Sequence, residues 1–304
     1  MRHDRAGLRQ RHTTRAWAVA LAACAGIARG TDPVVVDLWQ GGPPEPPAAV
    51  VGPEKEVVKS PPDGIMRLTN VTRPQITVFR PRRPCGSAVI VCPGGGYSLL
   101  AYEHEGTAVC DELVKHGVTA ILLKYRVPAP PRLPLQDAQR AVAVVRKRGA
   151  EWGVAPDRIG ILGFSAGGHL AIMTALHGNE RTYAADPAVE SDDARPNFAI
   201  PVYPAYLVEE RTQGPLLPEI AVAAGAPPMC LVHAADDPIP AAGSGLVFLE
   251  YQKLGVPCEL HAYARGGHGF GMKPGTLPAN RWLERVVEWM AAAGLANAPV
   301  AARD

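Results

Sequence analysis

The sequence has few aromatic residues, no strong charge of either sign and no paired cysteine motif. Among its 304 residues, 31 are basic and 29 acidic, which leaves a formal net charge of +2. No run of lysine and arginine is interleaved with aromatic residues, so no nucleic-acid partner is expected. The six cysteines include no C-x-x-C pair, so a zinc or redox motif has no support and no metal is expected.

A transmembrane span is also absent near the N-terminus. The apolar segment at residues 16–27 is shorter than the roughly 20 residues that a spanning helix needs. It follows an arginine-rich leader, a combination typical of an export signal. The run 21–24 also resembles the bacterial lipobox, in which Cys24 is lipidated, and the alternative is ordinary cleavage near Ala25 or Ala28. We therefore expect an exported protein that is periplasmic, secreted or lipid-anchored through Cys24.

Composition divides the rest of the chain. After the signal at residues 1–28, residues 29–64 are rich in proline and glycine and are expected to form an extended arm. Residues 65–295 are expected to form one large domain, and residues 296–304 a tail. No internal repeat is present.

The cysteines after the signal are expected to differ in their surroundings. Cys92 and Cys230 lie in apolar runs and are expected to be small buried core residues. Cys85 and Cys110 could pair in an oxidising compartment.

From about residue 67, apolar patterns of strand and helix alternate. Strands are expected at residues 75–79, 88–91, 118–123, 158–162, 198–202, 229–233 and 258–263. Helices are expected at residues 104–116, 137–148, 166–176, 244–254 and 282–293. This alternation predicts an α/β fold with a mostly parallel central sheet and helices on both faces. In such sheets ligands bind at the carboxyl ends of the strands, so the residues after each strand carry the information on function.

A sharp turn follows the strand at 158–162. Residues 163–167 read G-x-S-x-G between a strand and a helix, the context that this motif requires. The flanking Gly163 and Gly167 are expected because a Cβ at either position would clash. The hydroxyl of Ser165 would project at the start of a helix, where the macrodipole favours negative charge. Ser165 is therefore the candidate nucleophile.

A serine nucleophile needs a base, and a histidine occupies a suitable loop. His268 lies in the glycine-rich segment 266–271, just after the last strand. In folds with this serine motif the chain order is serine, acid, histidine. The weaker candidates for the base are His169, His177, His233 and His261. Of these, His169 follows Ser165 in the helix and is expected to support the turn.

Two adjacent aspartates, Asp236 and Asp237, compete for the role of the acid that orients the histidine. Counting from His233 at the end of the strand selects Asp237. Counting back from Pro240 selects Asp236. We favour Asp237 because the strand is the more rigid reference, and Asp236 remains the alternative.

A glycine loop at residues 93–97 is expected to form the oxyanion hole. It follows a strand, and glycines let backbone N–H groups approach a substrate oxygen. The candidate donors are the amides of Gly95, Gly96 and Ala166. Tyr97, at the end of the loop, is a candidate substrate-binding residue.

These segments carry a family resemblance. It rests on residues 92–97, 152–160, 163–169, 233–237 and 255–271. Together they resemble the bacterial esterase/lipase branch of the α/β-hydrolases, and most closely the exported esterases linked to acetylated xylan or feruloylated plant polysaccharide. Close relatives of the hormone-sensitive-lipase type have a histidine before the glycines, where this chain has Pro93.

The resemblance implies a carboxylesterase that forms an acyl-enzyme on Ser165 and removes acetyl or similar groups from carbohydrate or small esters. No cofactor is implied. Residues 177–197 and 203–228 could roof the site, with Tyr203 and Tyr206 either stacking on a sugar or packing in the protein. One alternative is a serine peptidase of the prolyl-oligopeptidase kind, although the segment before residue 65 is short for its usual propeller domain. The other is a non-catalytic binding protein with this fold.

Overall fold

The structure is a computed structural model that describes residues 32–48, 50, 52–57, 64–209 and 214–297. The predicted export signal and the lipidation of Cys24 lie outside these residues, and so does most of the predicted tail. Within the described part of the chain, no helix is long and apolar enough to cross a membrane.

The centre of the fold is a sheet of eight strands. The strands along the chain are β1 (Val34–Asp37), β2 (Lys55–Val57), β3 (Arg67–Thr69), β4 (Gln75–Phe79), β5 (Gly86–Cys92), β6 (Thr119–Lys124), β7 (Val154–Phe164), β8 (Phe198–Val202), β9 (Met229–Ala234) and β10 (Cys258–Tyr263). The central sheet has the order β1-β4-β6-β5-β7-β8-β9-β10, and β2 pairs with β3 in a separate ribbon. The pairs β1–β4 and β4–β6 are antiparallel, and the other neighbours in the central sheet are parallel. The prediction of a mostly parallel sheet is confirmed.

Helices cover both faces of this sheet. They are α1 (Ala108–Lys115), α2 (Arg132–Arg148), α3 (Ala166–His177), α4 (Ala242–Lys253) and α5 (Trp282–Ala292). A π-helical turn, Glu103–Thr107, leads into α1. Helices α1 and α5 pack with one buried cluster, and α2, α3 and α4 with the other. Successive side chains of a strand point to opposite faces, so Val89 and Ile90 of β5 enter different clusters.

Several element boundaries differ from expectation, among them the starts of α2 and β7. Helix α2 begins at Arg132, five residues before the expected start at residue 137. Proline is tolerated in a first helical turn, where its missing N–H would have no intrahelical partner, so Pro134 lies inside the helix and does not delay it. Strand β7 begins at Val154 and not at residue 158.

The beginning of the predicted arm belongs to the sheet. The β-branched run in Val34–Asp37 forms the edge strand β1, which was not among the predicted strands. The indole of Trp39 then donates to Asp137 of α2 at 2.8 Å. Asp137 is also paired with the buried Arg126 at 2.9 Å. The hydrogen bond from Trp39 to Asp137 therefore attaches the segment after β1 to α2.

The cysteines confirm one expectation and correct another. Cys92 and Cys230 are fully buried in the core, as predicted. The suggested pairing of Cys85 with Cys110 is not made in this structure, because no disulfide joins the described cysteines.

Candidate active site

Ser165 lies at the turn between β7 and α3 in a strained conformation. Its φ is +53° and its ψ is −118°, a backbone region that L-residues rarely occupy. A Cβ on Gly163 would collide with the carbonyl of Gly167, and one on Gly167 with the carbonyl of Cys92. The steric reason given for both glycines is thus confirmed. The turn presents the Ser165 side chain at the N-terminus of α3.

Three side chains from separate loops meet at this turn. The Oγ of Ser165 is 2.9 Å from Nε2 of His268. On the other side of the ring, Nδ1 of His268 is 2.8 Å and 3.0 Å from the two carboxylate oxygens of Asp237. The carboxyl ends of β7 and β9 and the loop after β10 therefore bring the predicted nucleophile, acid and base into one hydrogen-bonded chain.

The Asp237 carboxylate is kept ionised although its side chain is fully enclosed. Burial works to raise its pKa, but hydrogen bonds from His233, His268 and the amide of Ile239 outweigh it and leave the pKa below the usual value. An ionised carboxylate can only accept hydrogen bonds. Nδ1 of His268 must therefore carry the proton, which leaves Nε2 free to accept one from Ser165.

Asp236, unlike Asp237, hydrogen-bonds to the backbone and not to the imidazole of His268. Its Oδ1 accepts the backbone N–H groups of Gly266 and Gly267 at 2.8 Å and 2.7 Å. These residues open the histidine loop, residues 266–271. Asp236 thus supports the loop that carries His268, and it is Asp237 that contacts the imidazole.

The glycine loop, residues 93–97, lies beside Ser165. Gly95 and Gly96 have φ values of +137° and +62°, and a Cβ on Gly95 would collide with the carbonyl of Leu99. The hydroxyl of Tyr125 donates to the carbonyl of Pro93 at 2.5 Å and anchors the start of the loop. Within the described residues, the amides of Gly95 and Gly96 form no hydrogen bond, so both remain available to a ligand.

The weaker histidine candidates do not reach the nucleophile. His233 has Nδ1 2.8 Å from the hydroxyl of Ser244 and Nε2 3.5 Å from a carboxylate oxygen of Asp237, and His177 lies 2.9 Å from Glu180. His261 is 3.0 Å from Glu259. None of the three contacts Ser165 in the described structure.

His169 follows the serine turn in α3, and its side chain contacts Tyr97 at the end of the glycine loop. Its main-chain N–H donates to the carbonyl of Ser165, and its Nδ1 is 2.7 Å from the hydroxyl of Tyr97. Burial lowers the pKa of His169 to about 4, so the ring is neutral near pH 7. Burial also raises the pKa of Tyr97 well above its usual value. Tyr97 and His169 are therefore both uncharged near pH 7.

A cavity of about 620 Å³ opens beside the glycine loop. Its lining comes from the glycine loop, from the start of α2, from α3 and from the segment after β8, and includes Tyr97, Arg132, Leu135, His169, Met173 and Tyr206. Tyr97 and Tyr206 stack with their ring centroids 6.0 Å apart. Residues 177–197 contribute nothing to this lining, so of the two segments suggested as a roof only 203–228 takes part.

Tyr203 does not offer a stacking surface. Its side chain is fully buried, and its ring packs against Phe270 with centroids 4.5 Å apart. Its hydroxyl donates to Glu105 at 2.9 Å. Of the two tyrosines suggested for a sugar, only Tyr206 reaches the cavity. No sequence pattern indicated Glu105, because this residue follows the glycine loop but belongs to no recognised motif.

The sheet, the strained serine turn and the order serine, aspartate, histidine define an α/β-hydrolase. A family model described as BD-FAE matches residues 79–202. An acetylxylan esterase of Xylanibacter ruminicola is 30% identical over 230 residues, which are 68% of this chain and 45% of that protein. The chain thus spans less than half the length of this curated relative.

Solved structures agree with this assignment. An acetyl ester-xyloside bifunctional hydrolase from Caldicellulosiruptor lactoaceticus superposes with a TM-score of 0.69 at 28% identity, covering 90% of this chain and 99% of that one. Esterase 2 of Thermogutta terrifontis, phosphorylated by paraoxon, gives a TM-score of 0.65 at 26% identity and covers 80% of this chain and 100% of that one. The chain is an α/β-hydrolase that resembles the acetylxylan esterases, and the similarities support carboxylic ester hydrolysis.

Proposed function

We propose that this protein hydrolyses carboxylic esters through an acyl-enzyme formed on Ser165. The observation that carries the proposal is the continuous hydrogen-bonded chain from Ser165 through His268 to Asp237, with distances of 2.9 Å and 2.8 Å. A nucleophile within reach of a base that is itself oriented by a carboxylate is the arrangement that covalent acyl transfer requires.

In the first step, Oγ of Ser165 attacks the ester carbonyl carbon and Nε2 of His268 takes its proton. The carbonyl oxygen becomes an oxyanion, which the amides of Gly95, Gly96 and Ala166 stabilise. The bond to the alcohol oxygen then breaks, and His268 returns the proton to the departing alcohol. In the second step, His268 removes a proton from water, the resulting hydroxide attacks the acyl-enzyme, and the acid leaves as Ser165 regains its proton. No metal or organic cofactor takes part.

The substrate that we propose is an acetyl or similar ester on a carbohydrate. A cavity of about 620 Å³ is far larger than an acetyl group and lies within the usual range for small-molecule sites. Its wall carries the Tyr206 ring, 38% exposed, against which a sugar face can stack. The similarity to an acetylxylan esterase supports the same class of substrate. The export expected from residues 1–28 agrees with a polymeric substrate outside the cell.

The first test compares the wild type with Ser165→Ala on p-nitrophenyl acetate and on acetylated xylan. Removing the nucleophile is expected to lower turnover by about 10⁶-fold. Paraoxon should phosphorylate the wild type in a reaction that forms a bond from Ser165 Oγ to phosphorus and expels p-nitrophenolate. Intact mass should detect one diethylphosphoryl group on the wild type and none on the variant.

The outcomes separate the possibilities. Hydrolysis of both substrates, lost in Ser165→Ala, supports a carbohydrate deacetylase. Hydrolysis of the small ester alone would support esterase activity and exclude acetylated xylan as a substrate. Cleavage of prolyl peptides in preference to esters would favour a peptidase. Absence of both hydrolysis and phosphorylation would overturn the mechanism and favour a binding protein.

A further inference from the structure

A buried carboxylate, Glu105, lies directly behind the candidate active site. Its residue is only 4% exposed. It belongs to the π-helical turn between the glycine loop and α1. Its Oε2 accepts the backbone N–H of Gly94 at 2.8 Å. Glu105 therefore holds the residue just before the oxyanion donors Gly95 and Gly96.

The other oxygen of the same carboxylate reaches the histidine loop. Its Oε1 accepts the Tyr203 hydroxyl at 2.9 Å, and the Tyr203 oxygen accepts the N–H of Gly271 at 2.9 Å. The Tyr203 ring also packs edge-on against His268, with centroids 5.1 Å apart. The carboxylate and the phenol thus form a bridge from Gly94 to the loop that carries the base.

This bridge is closely packed around the reacting groups. A Cβ placed on Gly94 would lie 2.7 Å from Oε2 of Glu105 and 3.0 Å from Cβ of Ser165. A Cβ on Gly269 would lie 3.9 Å from Oε1. On the outer side, Nε2 of His104 approaches Oε1 at 3.4 Å. A small displacement of Glu105 therefore has little room to relax without moving the glycine loop or the histidine loop.

We propose that Glu105 is a positioning residue that, with Tyr203, sets the oxyanion loop and the His268 loop relative to each other. The inference rests on the proposed Ser165 mechanism. Burying a polar side chain is costly unless it is hydrogen-bonded, and here both oxygens of Glu105 are used to hold Gly94 and Tyr203. Glu105 does not touch the substrate and acts through Gly94 and through Tyr203.

A carboxylate suits this place because it offers two acceptors to two donors. In Glu105→Gln one oxygen is replaced by an amide nitrogen, which carries two N–H donors of its own. That nitrogen must face either the N–H of Gly94 or the Tyr203 hydroxyl, whose oxygen already accepts from Gly271. At least one of these contacts is lost or weakened, although the side-chain volume is nearly unchanged.

The test measures kcat and KM for p-nitrophenyl acetate in the wild type, Glu105→Gln, Tyr203→Phe and the double variant. The matched control is Glu190→Gln. Glu190 is also buried and also accepts a tyrosine hydroxyl, that of Tyr183 at 2.9 Å, and a backbone amide, that of Asp186 at 2.8 Å. Unlike Glu105 it is also ion-paired with Arg140, and none of these partners belongs to either catalytic loop. Active sites are counted by exhaustive paraoxon labelling, and folding is followed by thermal unfolding.

Glu105→Gln is expected to lower kcat per labelled site by about 10- to 100-fold, the usual size of an effect from a group that orients catalytic residues, while KM changes by less than about threefold. Tyr203→Phe should act in the same direction, and the double variant should lose less than the product of the two single effects. Glu190→Gln should lower the unfolding temperature and leave kcat per labelled site unchanged.

Two results would overturn the inference separately from the mechanism. If the wild type turns over, Ser165→Ala does not, and Glu105→Gln keeps the wild-type kcat, then Glu105 is structural only. The same conclusion holds if Glu190→Gln and Glu105→Gln lose kcat to the same extent. If the wild type neither turns over nor reacts with paraoxon, the proposed function fails, and this inference fails with it.

Discussion

Asp236 and Asp237 are neighbours in the chain, yet their carboxylates serve different loops of one site. Asp237 accepts from the imidazole of His268, with the closer oxygen at 2.8 Å. Asp236 accepts from the backbone of Gly266 and Gly267. One carboxylate therefore orients the base, and the other holds the segment from which the base projects.

This division predicts unequal effects of removing the two charges. Asp237→Asn is expected to lower kcat by about 10⁴-fold, because an amide that donates toward Nδ1 favours the wrong imidazole tautomer. Asp236→Asn retains an oxygen that can accept both glycine amides, so its kcat should stay within about tenfold of the wild type. Steady-state kinetics on p-nitrophenyl acetate measure both. The opposite order of effects would make Asp236 the acid.

The serine turn predicts a steric effect at one glycine. Gly167→Ala would push a Cβ into the carbonyl of Cys92 and is expected to destabilise the fold by roughly 1–3 kcal/mol or more, with loss of activity. Gly245→Ala is the control, because a Cβ there meets nothing within 4 Å and the position lies inside α4. It should stabilise by about 0.4–1 kcal/mol. Urea unfolding compares the two, and equal stabilities would contradict the proposed crowding.

His169 predicts a pH dependence of stability. Burial lowers its pKa from 6.5 to about 4, so the unfolded state binds more protons than the folded state between these values. The free energy of unfolding should therefore fall as the pH drops from about 6.5 towards about 4, by roughly 3 kcal/mol for this group. His169→Gln keeps an acceptor for Tyr97 and lacks the titration. The difference in unfolding free energy between wild type and variant should shrink towards acid pH, and parallel curves would exclude the shift.

Tyr206 predicts a specificity effect at the cavity. Tyr206→Ala removes the stacking surface, worth about 0.5–1.5 kcal/mol, and should raise KM for acetylated xylan by about 3- to 10-fold. Tyr206→Phe keeps the ring and should keep the wild-type KM. On ethyl acetate, which is too small to need the ring, all the enzymes should behave alike. Equal KM values for acetylated xylan in the wild type and Tyr206→Ala would show that the sugar does not stack on Tyr206.

The sequence by itself determined the parts of this protein that rest on local pattern. The alternation of strands and helices predicted the sheet, because burial on both faces demands apolar strands between amphipathic helices. G-x-S-x-G between β7 and α3 marked Ser165, since only glycine fits at Gly163, where the turn meets its own backbone, and at Gly167, where it meets the end of β5. His268 was placed by its glycine-rich loop and by chain order.

Only the tertiary structure decided which side chains point at one another. Asp236 and Asp237 differ by one residue, and the direction of each carboxylate depends on how the loop after β9 packs against the histidine loop. Tyr203 was a candidate for binding sugar until the packing of Phe270 enclosed it. Glu105 belongs to no motif, because its partners Gly94 and Tyr203 come from segments that meet only when the sheet is complete. Such contacts are set by packing between distant segments, which no local pattern encodes.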